Sequence, residues 1–111
     1  SRDFCYIDNA VQTNILAAMT ENSEATDQVY NVALNDRTSL NELYRMIEDS
    51  LIKNVNGLEK KEPIYRDFRP GDVRHSQASI DKAKELLNYE PQFRIAEGLN
   101  EAIGWYINSL K

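Results

Sequence analysis

The hydrophobic and polar positions of the 111-residue chain switch between two periods along its length. Phe4 to Ile7 is an aromatic and β-branched run, which predicts a short strand. Asp8 then stands where an N-cap belongs, and Val11, Ile15, Ala18 and Met19 recur at helical spacing through about Thr20. That spacing predicts a helix with those four residues turned inward. Glu21 to Asp27 is polar and loop-like, and Gln28 to Ala33 alternates around Val29, Tyr30 and Val32, as a strand does. Asn35-Asp36 marks a turn.

The clearest helix opens at Thr38-Ser39. Ser39 and Glu42 fit a capping box, and Leu40, Leu43, Met46, Ile47 and Leu51 form its apolar stripe. Asn54 to Lys61 is a polar loop. Pro63 to Arg66 predicts an edge strand, because a proline in first position removes no needed donor. Ser79 predicts a cap for a helix ending near Leu87, with Pro91 closing the connection after it. A last helix runs from about Ile95 to Leu110 with Leu99, Ile103 and Trp105 or Tyr106 inward. The predicted order is β-α-β-α-β-α-α, an α/β fold in one domain, residues 1–111.

Composition narrows the classes. Hydrophobic residues make up 41% and charged residues 28%, ordinary for a folded domain that buries roughly two-thirds of its unfolded surface. The formal charge is −5, from 13 basic and 18 acidic residues, with no basic cluster. Duplex nucleic acid, which requires a basic face, is therefore a poor partner. A single cysteine, Cys5, excludes an internal disulfide, and with one histidine it excludes a usual structural zinc site. Its neighbours Phe4, Tyr6 and Ile7 predict that Cys5 is buried. No apolar run reaches membrane-spanning length, and no leader segment is apparent, so the expected location is cytoplasmic. The chain opens on Ser1 and at once on a strand-like run, which leads us to expect a fragment of something larger.

Two segments carry candidate chemistry. Arg69-Pro70-Gly71-Asp72 suits a type II turn, with glycine at the position that needs positive φ, and such a turn sets Arg69 and Asp72 on one side of a loop. Asp72 could orient an arginine or accept from a ribose hydroxyl, or the pair could be a solvated ion pair. His75-Ser76 follows, with Ser76 able to reach a sugar. At the other end, Arg2-Asp3 reads either as a surface salt bridge or as a second arginine beside an acid. Arginine suits a diphosphate because its planar fork donates paired hydrogen bonds at any working pH. Tyr65 and Tyr89 read as core or rim aromatics, and Trp105 and Tyr106 as core. No Gly-x-Gly-x-x-Gly loop and no Ser/His/Asp or Cys/His pairing is visible in the sequence.

Several stretches together carry a resemblance: Ser1-Arg2-Asp3-Phe4-Cys5-Tyr6-Ile7-Asp8, Val29 to Ala33, Thr38-Ser39-Leu40, Tyr65 to Ser76, Asp81-Lys82-Ala83, Gly98-Leu99 and Trp105-Tyr106. In order and spacing they resemble the C-terminal portion of extended short-chain dehydrogenase/reductase enzymes acting on nucleotide sugars. The run from Tyr65 to Ser76 is similar to UDP-N-acetylglucosamine 4-epimerases of surface-polysaccharide pathways.

The resemblance implies a small mixed α/β substrate-binding domain without its Rossmann domain. It implies a UDP-sugar partner, the protein's own N-terminal Rossmann domain as a second partner, a homodimer for the whole enzyme, and self-association of the isolated piece. Arg2 and Arg69 would grip the diphosphate, Asp72 would assist at the ribose or orient an arginine, and Ser76 and His75 would line the sugar end. NAD and the Tyr-x-x-x-Lys pair would belong to the missing domain. Tyr44, Tyr65, Tyr89 and Tyr106 are followed four residues on by Glu48, Arg69, Phe93 and Leu110, so no catalytic residue, cofactor site or metal site is expected here. Many members carry two aspartates where this chain has Asp8-Asn9. A 4,6-dehydratase or decarboxylase relative is the second reading, and an acidic protein-interaction module the third.

Overall fold

A computed structural model describes residues 1–110. Four helices organise it: α1 (Ile7–Met19), α2 (Leu40–Asn54), α3 (Asp81–Leu87) and α4 (Ile95–Ser109), with a short 3-10 turn at Ser23–Ala25. The capping box of α2 forms as expected. Ser39 Oγ accepts from the Glu42 amide at 3.1 Å, and Glu42 Oε2 accepts from the Ser39 amide at 2.7 Å. The bond from the Ser39 amide, and after it the Ser39 side chain, hold the Glu42 carboxyl below its ordinary range. Asn88, in the left-handed region (φ 57°), ends α3.

The other two helix starts differ from expectation. α1 begins one residue before Asp8, with Tyr6 at its cap and no side-chain bond there. α3 begins after Ile80, while Ser79 Oγ makes a long 3.4 Å contact with the Asp81 amide.

Among the described residues no strand forms, so the α/β expectation is met on its helical side only. The single β contact is an isolated antiparallel bridge between Arg2 and Thr38. The segments at 4–7, 28–33 and 63–66 have strand composition but no ladder beside them. A strand is defined by pairing, and alternation of side chains cannot create a partner. Val29 and Ile64 are almost fully exposed as a result.

α2 packs on α4, and α1 on α3. The core is small: Ala33, Ile80, Ala83 and Tyr89, with Leu16, Tyr30, Val32 and Ala78 packed around it. Tyr89 is fully enclosed and donates its hydroxyl to the Ala33 carbonyl at 2.9 Å, which ties the 28–34 segment to the end of α3. Burial pushes the Tyr89 phenol up from 10.0 to about 12. Tyr65, by contrast, is exposed, and so are Trp105 and Tyr106, which stack edge-to-face at 5.1 Å on the outside of α4. The core expectation for that pair fails although Trp105 lies seven residues beyond the buried Gly98 and Tyr106 three beyond the buried Ile103, on the same stripe. Periodicity sets the face, but burial depends on what packs beside it, and near the end of α4 these two side chains stay exposed.

Gly98 has a specific reason to be glycine: a Cβ there would lie 2.6 Å from the Tyr6 Cβ. The start of α1 rests directly on the α4 backbone at this point.

The body is long and thin. Its radius of gyration is 17.1 Å, with extents of 54 × 34 × 18 Å. A compact chain of this length has about 13 Å. The accessible surface is 8569 Å², against roughly 6,300 Å² for a compact globule of this size. The chain therefore buries little more than half of its unfolded surface, below the two-thirds expected of a self-contained domain.

Candidate functional site

Three stretches remote in sequence meet beside the Arg2–Thr38 bridge. The Arg2 amide donates to the Thr38 carbonyl at 3.0 Å, and the Thr38 amide returns a bond to Arg2 at 2.9 Å. On the other side of the same segment, the Ser1 nitrogen donates to the Arg74 carbonyl at 2.6 Å, and the Ser76 amide donates to the Ser1 carbonyl at 3.0 Å. Ser1 Oγ and His75 Nδ1 share a hydrogen bond of 2.8 Å. The backbone around Arg2 and the pair His75-Ser76 are thus joined, although more than seventy residues separate them.

Arg69 and Asp72 sit apart, on the arm that leads into this junction. The turn forms as predicted: Gly71 takes φ 82°, and the Asp72 amide donates to the Arg69 carbonyl at 3.2 Å. Arg69 Nε donates to Asp72 Oδ2 at 3.0 Å, with the arginine side chain 86% exposed. This exposed pair fits both the arginine-orienting reading of Asp72 and the solvated ion pair. Because Asp72 accepts from Nε–H, its carboxylate leaves the terminal nitrogens of Arg69 uncommitted. Among the described residues no hydrogen bond or ion pair joins Arg2 to Arg69. Further along the arm, the Arg74 guanidinium lies 4.3 Å from the Phe68 ring centroid, a cation–π contact that stiffens the approach to His75.

Arg2 and Asp3 do not form the surface salt bridge that their adjacency suggested. The Arg2 guanidinium donates through Nη1 to the Ser1 carbonyl at 2.9 Å, which leaves its other nitrogens available. Asp3 turns the other way. Its Oδ1 accepts from the Leu34 amide at 3.0 Å, and its Oδ2 from the amides of Asp36 and Ala78 at 3.2 and 3.3 Å. Sequence reasoning missed this role. An acidic residue between a strand-like run and an arginine gives no sign that amides 31, 33 and 75 positions away will face it.

Cys5 is exposed, contrary to expectation, because Phe4 to Ile7 turns into α1 instead of lying in a sheet. Partial desolvation, then the nearby Asp3 charge, raise its thiol above the ordinary value, so it stays protonated and a poor nucleophile at neutral pH. The Ser1–His75 contact is a Ser/His pair that the sequence did not reveal. It is exposed, and among the described residues no carboxylate orients the other ring nitrogen, so it lacks the third member that catalysis by such a pair uses. Among the described residues no cluster of three metal-ligating side chains exists, and no helix is long and apolar enough to cross a membrane.

A shallow groove of about 550 Å³ adjoins the bridge, lined by Asp36, Arg37, Thr38, Asn41, Arg45 and Ile95 among others. It opens between the N-terminus of α2 and the start of α4.

The chain is similar in sequence to several known proteins. The chain is 32% identical over 106 residues to a UDP-glucuronate 4-epimerase of Thermodesulfobacterium geofontis, covering 95% of this chain and 30% of that protein. It is 28% identical over 125 aligned positions to protein CapI of Staphylococcus aureus, covering 99% of this chain and 36% of CapI. It is 27% identical over 108 residues to a UDP-glucose 4-epimerase of Mycolicibacterium smegmatis, covering 97% and 32%. No family model matches. The chain spans about a third of the length of these curated relatives. The similarity supports an epimerase-like kinship and does not single out one member.

Proposed function

We propose that this chain is the nucleotide-sugar-binding part of an NAD-dependent UDP-sugar 4-epimerase of the extended short-chain dehydrogenase/reductase type. The observation that carries this reading is the junction of residues 1–3 with 74–78, which gathers Arg2, His75 and Ser76 at the foot of an arm bearing Arg69 and Asp72. Two guanidinium forks free of carboxylate capture at their tips suit the two phosphates of a UDP-sugar. Asp72 fixes the aim of one fork through Nε. The Ser76 and His75 side chains line the side toward the sugar. UDP-N-acetylglucosamine is the substrate we favour, on the strength of the Tyr65–Ser76 run.

These residues bind and orient; they do not carry out the redox step. Hydride chemistry at the sugar would be supplied by NAD held by residues outside this chain. The described residues do not fit that cofactor. The four glycines, Gly57, Gly71, Gly98 and Gly104, are scattered, and no tyrosine is followed four positions on by lysine. This chain's contribution is uniform binding, which retains the sugar while its ring turns over. Its second partner is a cofactor-binding domain of the same protein, docked on the apolar outer faces of α1 and α4.

Titration of the isotope-labelled chain with UDP, followed by amide shifts, tests the reading. We expect weak, saturable binding centred on residues 1–3 and 69–76, lost in Arg2→Ala/Arg69→Ala and weakened by salt. Equal binding in that double variant would refute it.

A further inference from the structure

We propose that Asp3 is the positioning residue of this site, the group that holds Arg2 and the 74–78 segment in register. The proposal rests on the nucleotide-sugar reading and deepens it. Three pieces of chain converge there. Residues 1–2 bear one guanidinium, residues 34–38 supply its bridging partner Thr38, and residues 74–78 bear His75 and Ser76. Backbone bonds join the first piece to each of the others. Among the described residues, Asp3 is the one side chain that binds both of the others at once, through Leu34 and Asp36 on one and Ala78 on the other. Gln77 adds a weaker link between the same two, donating Nε2 to the Asn35 carbonyl at 3.0 Å.

The chemistry selects a carboxylate. All three partners are amide donors, and an ionised carboxylate accepts on both oxygens with nothing left to donate. Charge-assisted bonds of this kind are about twice as strong as neutral ones. A second consequence concerns Arg2. With the Asp3 charge committed to backbone amides, the neighbouring guanidinium has no internal anion. The acid thus both builds the platform and leaves the arginine open to an external phosphate.

The test compares the 111-residue chain with Asp3→Asn, Asp3→Glu and Arg2→Ala, using UDP as the probe. Asp3→Asn presents an NH₂ where an acceptor was. We expect faster hydrogen exchange at the amides of Leu34, Asp36 and Ala78, retained helical circular dichroism, and UDP affinity lower by about tenfold or more. Asp3→Glu, which restores a two-oxygen acceptor, recovers part of the affinity. Arg2→Ala loses UDP while the three amides keep their protection. If Asp3→Asn loses its helical signal, Asp3→Ser, too short to reach all three amides, decides: a folded Asp3→Ser with exchange and UDP affinity unchanged from the parent would overturn the proposal. Equal UDP affinity in the parent and a folded Asp3→Asn would overturn it and leave the nucleotide-sugar reading standing. A parent chain indifferent to UDP would overturn both.

Discussion

Helices α1 and α3 pack against each other and are turned opposite ways. α3 follows the usual rule: Ala83 and Leu87 are buried, and Lys82, Lys84 and Glu85 face water. α1 inverts it. Its buried residues are Asn9 and Thr13, whereas Ile7, Val11, Ile15 and Met19 lie outside, from 45% exposed at Val11 to 74% at Met19. The inward face is sustained by hydrogen bonds. Asn9 donates to the Phe93 carbonyl at 2.7 Å and accepts from the amides of Gln92 and Phe93 at 3.1 Å each. Gln12 reaches the Glu90 carbonyl at 2.9 Å, and Thr13 bonds back to the Asn9 carbonyl at 2.9 Å. A contiguous apolar stripe on the outside of a helix is the kind of surface that interaction sites present. The comparison teaches that burial on α3 follows apolar character, whereas on α1 it follows hydrogen-bonding partners. The chain also keeps roughly 2,000 Å² more surface than a compact globule of its size.

The inner face of α1 is where disruption should be greatest. Asn9→Leu strands two amides and a carbonyl, and we expect a loss of about 3 kcal/mol in a urea titration. A loss below about 0.5 kcal/mol would show that the polar face holds nothing. Asn9→Asp, which brings in the aspartate common among the proteins the chain resembles, keeps both acceptor bonds and loses the donor to Phe93, so its cost should be smaller. Gly98→Ala comes next. Its new methyl meets Tyr6 at 2.6 Å, and overpacking of this kind costs about 1–3 kcal/mol, read as a lower melting temperature.

The core shared by α1 and α3 gives a pH signature. The folded Tyr89 phenol titrates at about 12 and the unfolded one near 10.0. The unfolded chain therefore releases this proton first. The contribution is fully present below pH 10 and is lost as pH rises toward 12, about 1 kcal/mol of it by pH 11. Tyr89→Phe should flatten that alkaline slope, and an unchanged slope would remove Tyr89 as its source. The smallest effect on stability belongs to the outer stripe. Ile15→Lys should change unfolding by less than about 0.5 kcal/mol, yet reduce self-association in sedimentation. A large destabilisation would show that the stripe is inside after all.

How much could be read in advance follows from the reach of each interaction. The α2 capping box and the Arg69–Asp72 turn were both legible, since each closes within four residues. The site was half legible. Both arginine motifs stood out by composition, and the Pro-Gly pair foretold how Arg69 and Asp72 would face each other. The Asp3 amide contacts and the Ser1–His75 bond were not legible, because their partners lie 31 to 75 positions away.

By itself, then, the sequence determined which stretches are helical to within a few residues, how α2 is capped, how the Arg69–Asp72 turn closes, and which residue types are present for anion binding. Those are decided by backbone sterics and by hydrogen bonds between near neighbours. Only the tertiary structure decided which side of α1 faces in, whether strand-like runs find a ladder, and which distant amides collect around Asp3. Helical periodicity defines a stripe but not its direction, and direction follows from what is available to pack against it. In this chain the polar side of α1 found the 90–93 loop, and its apolar side faces out.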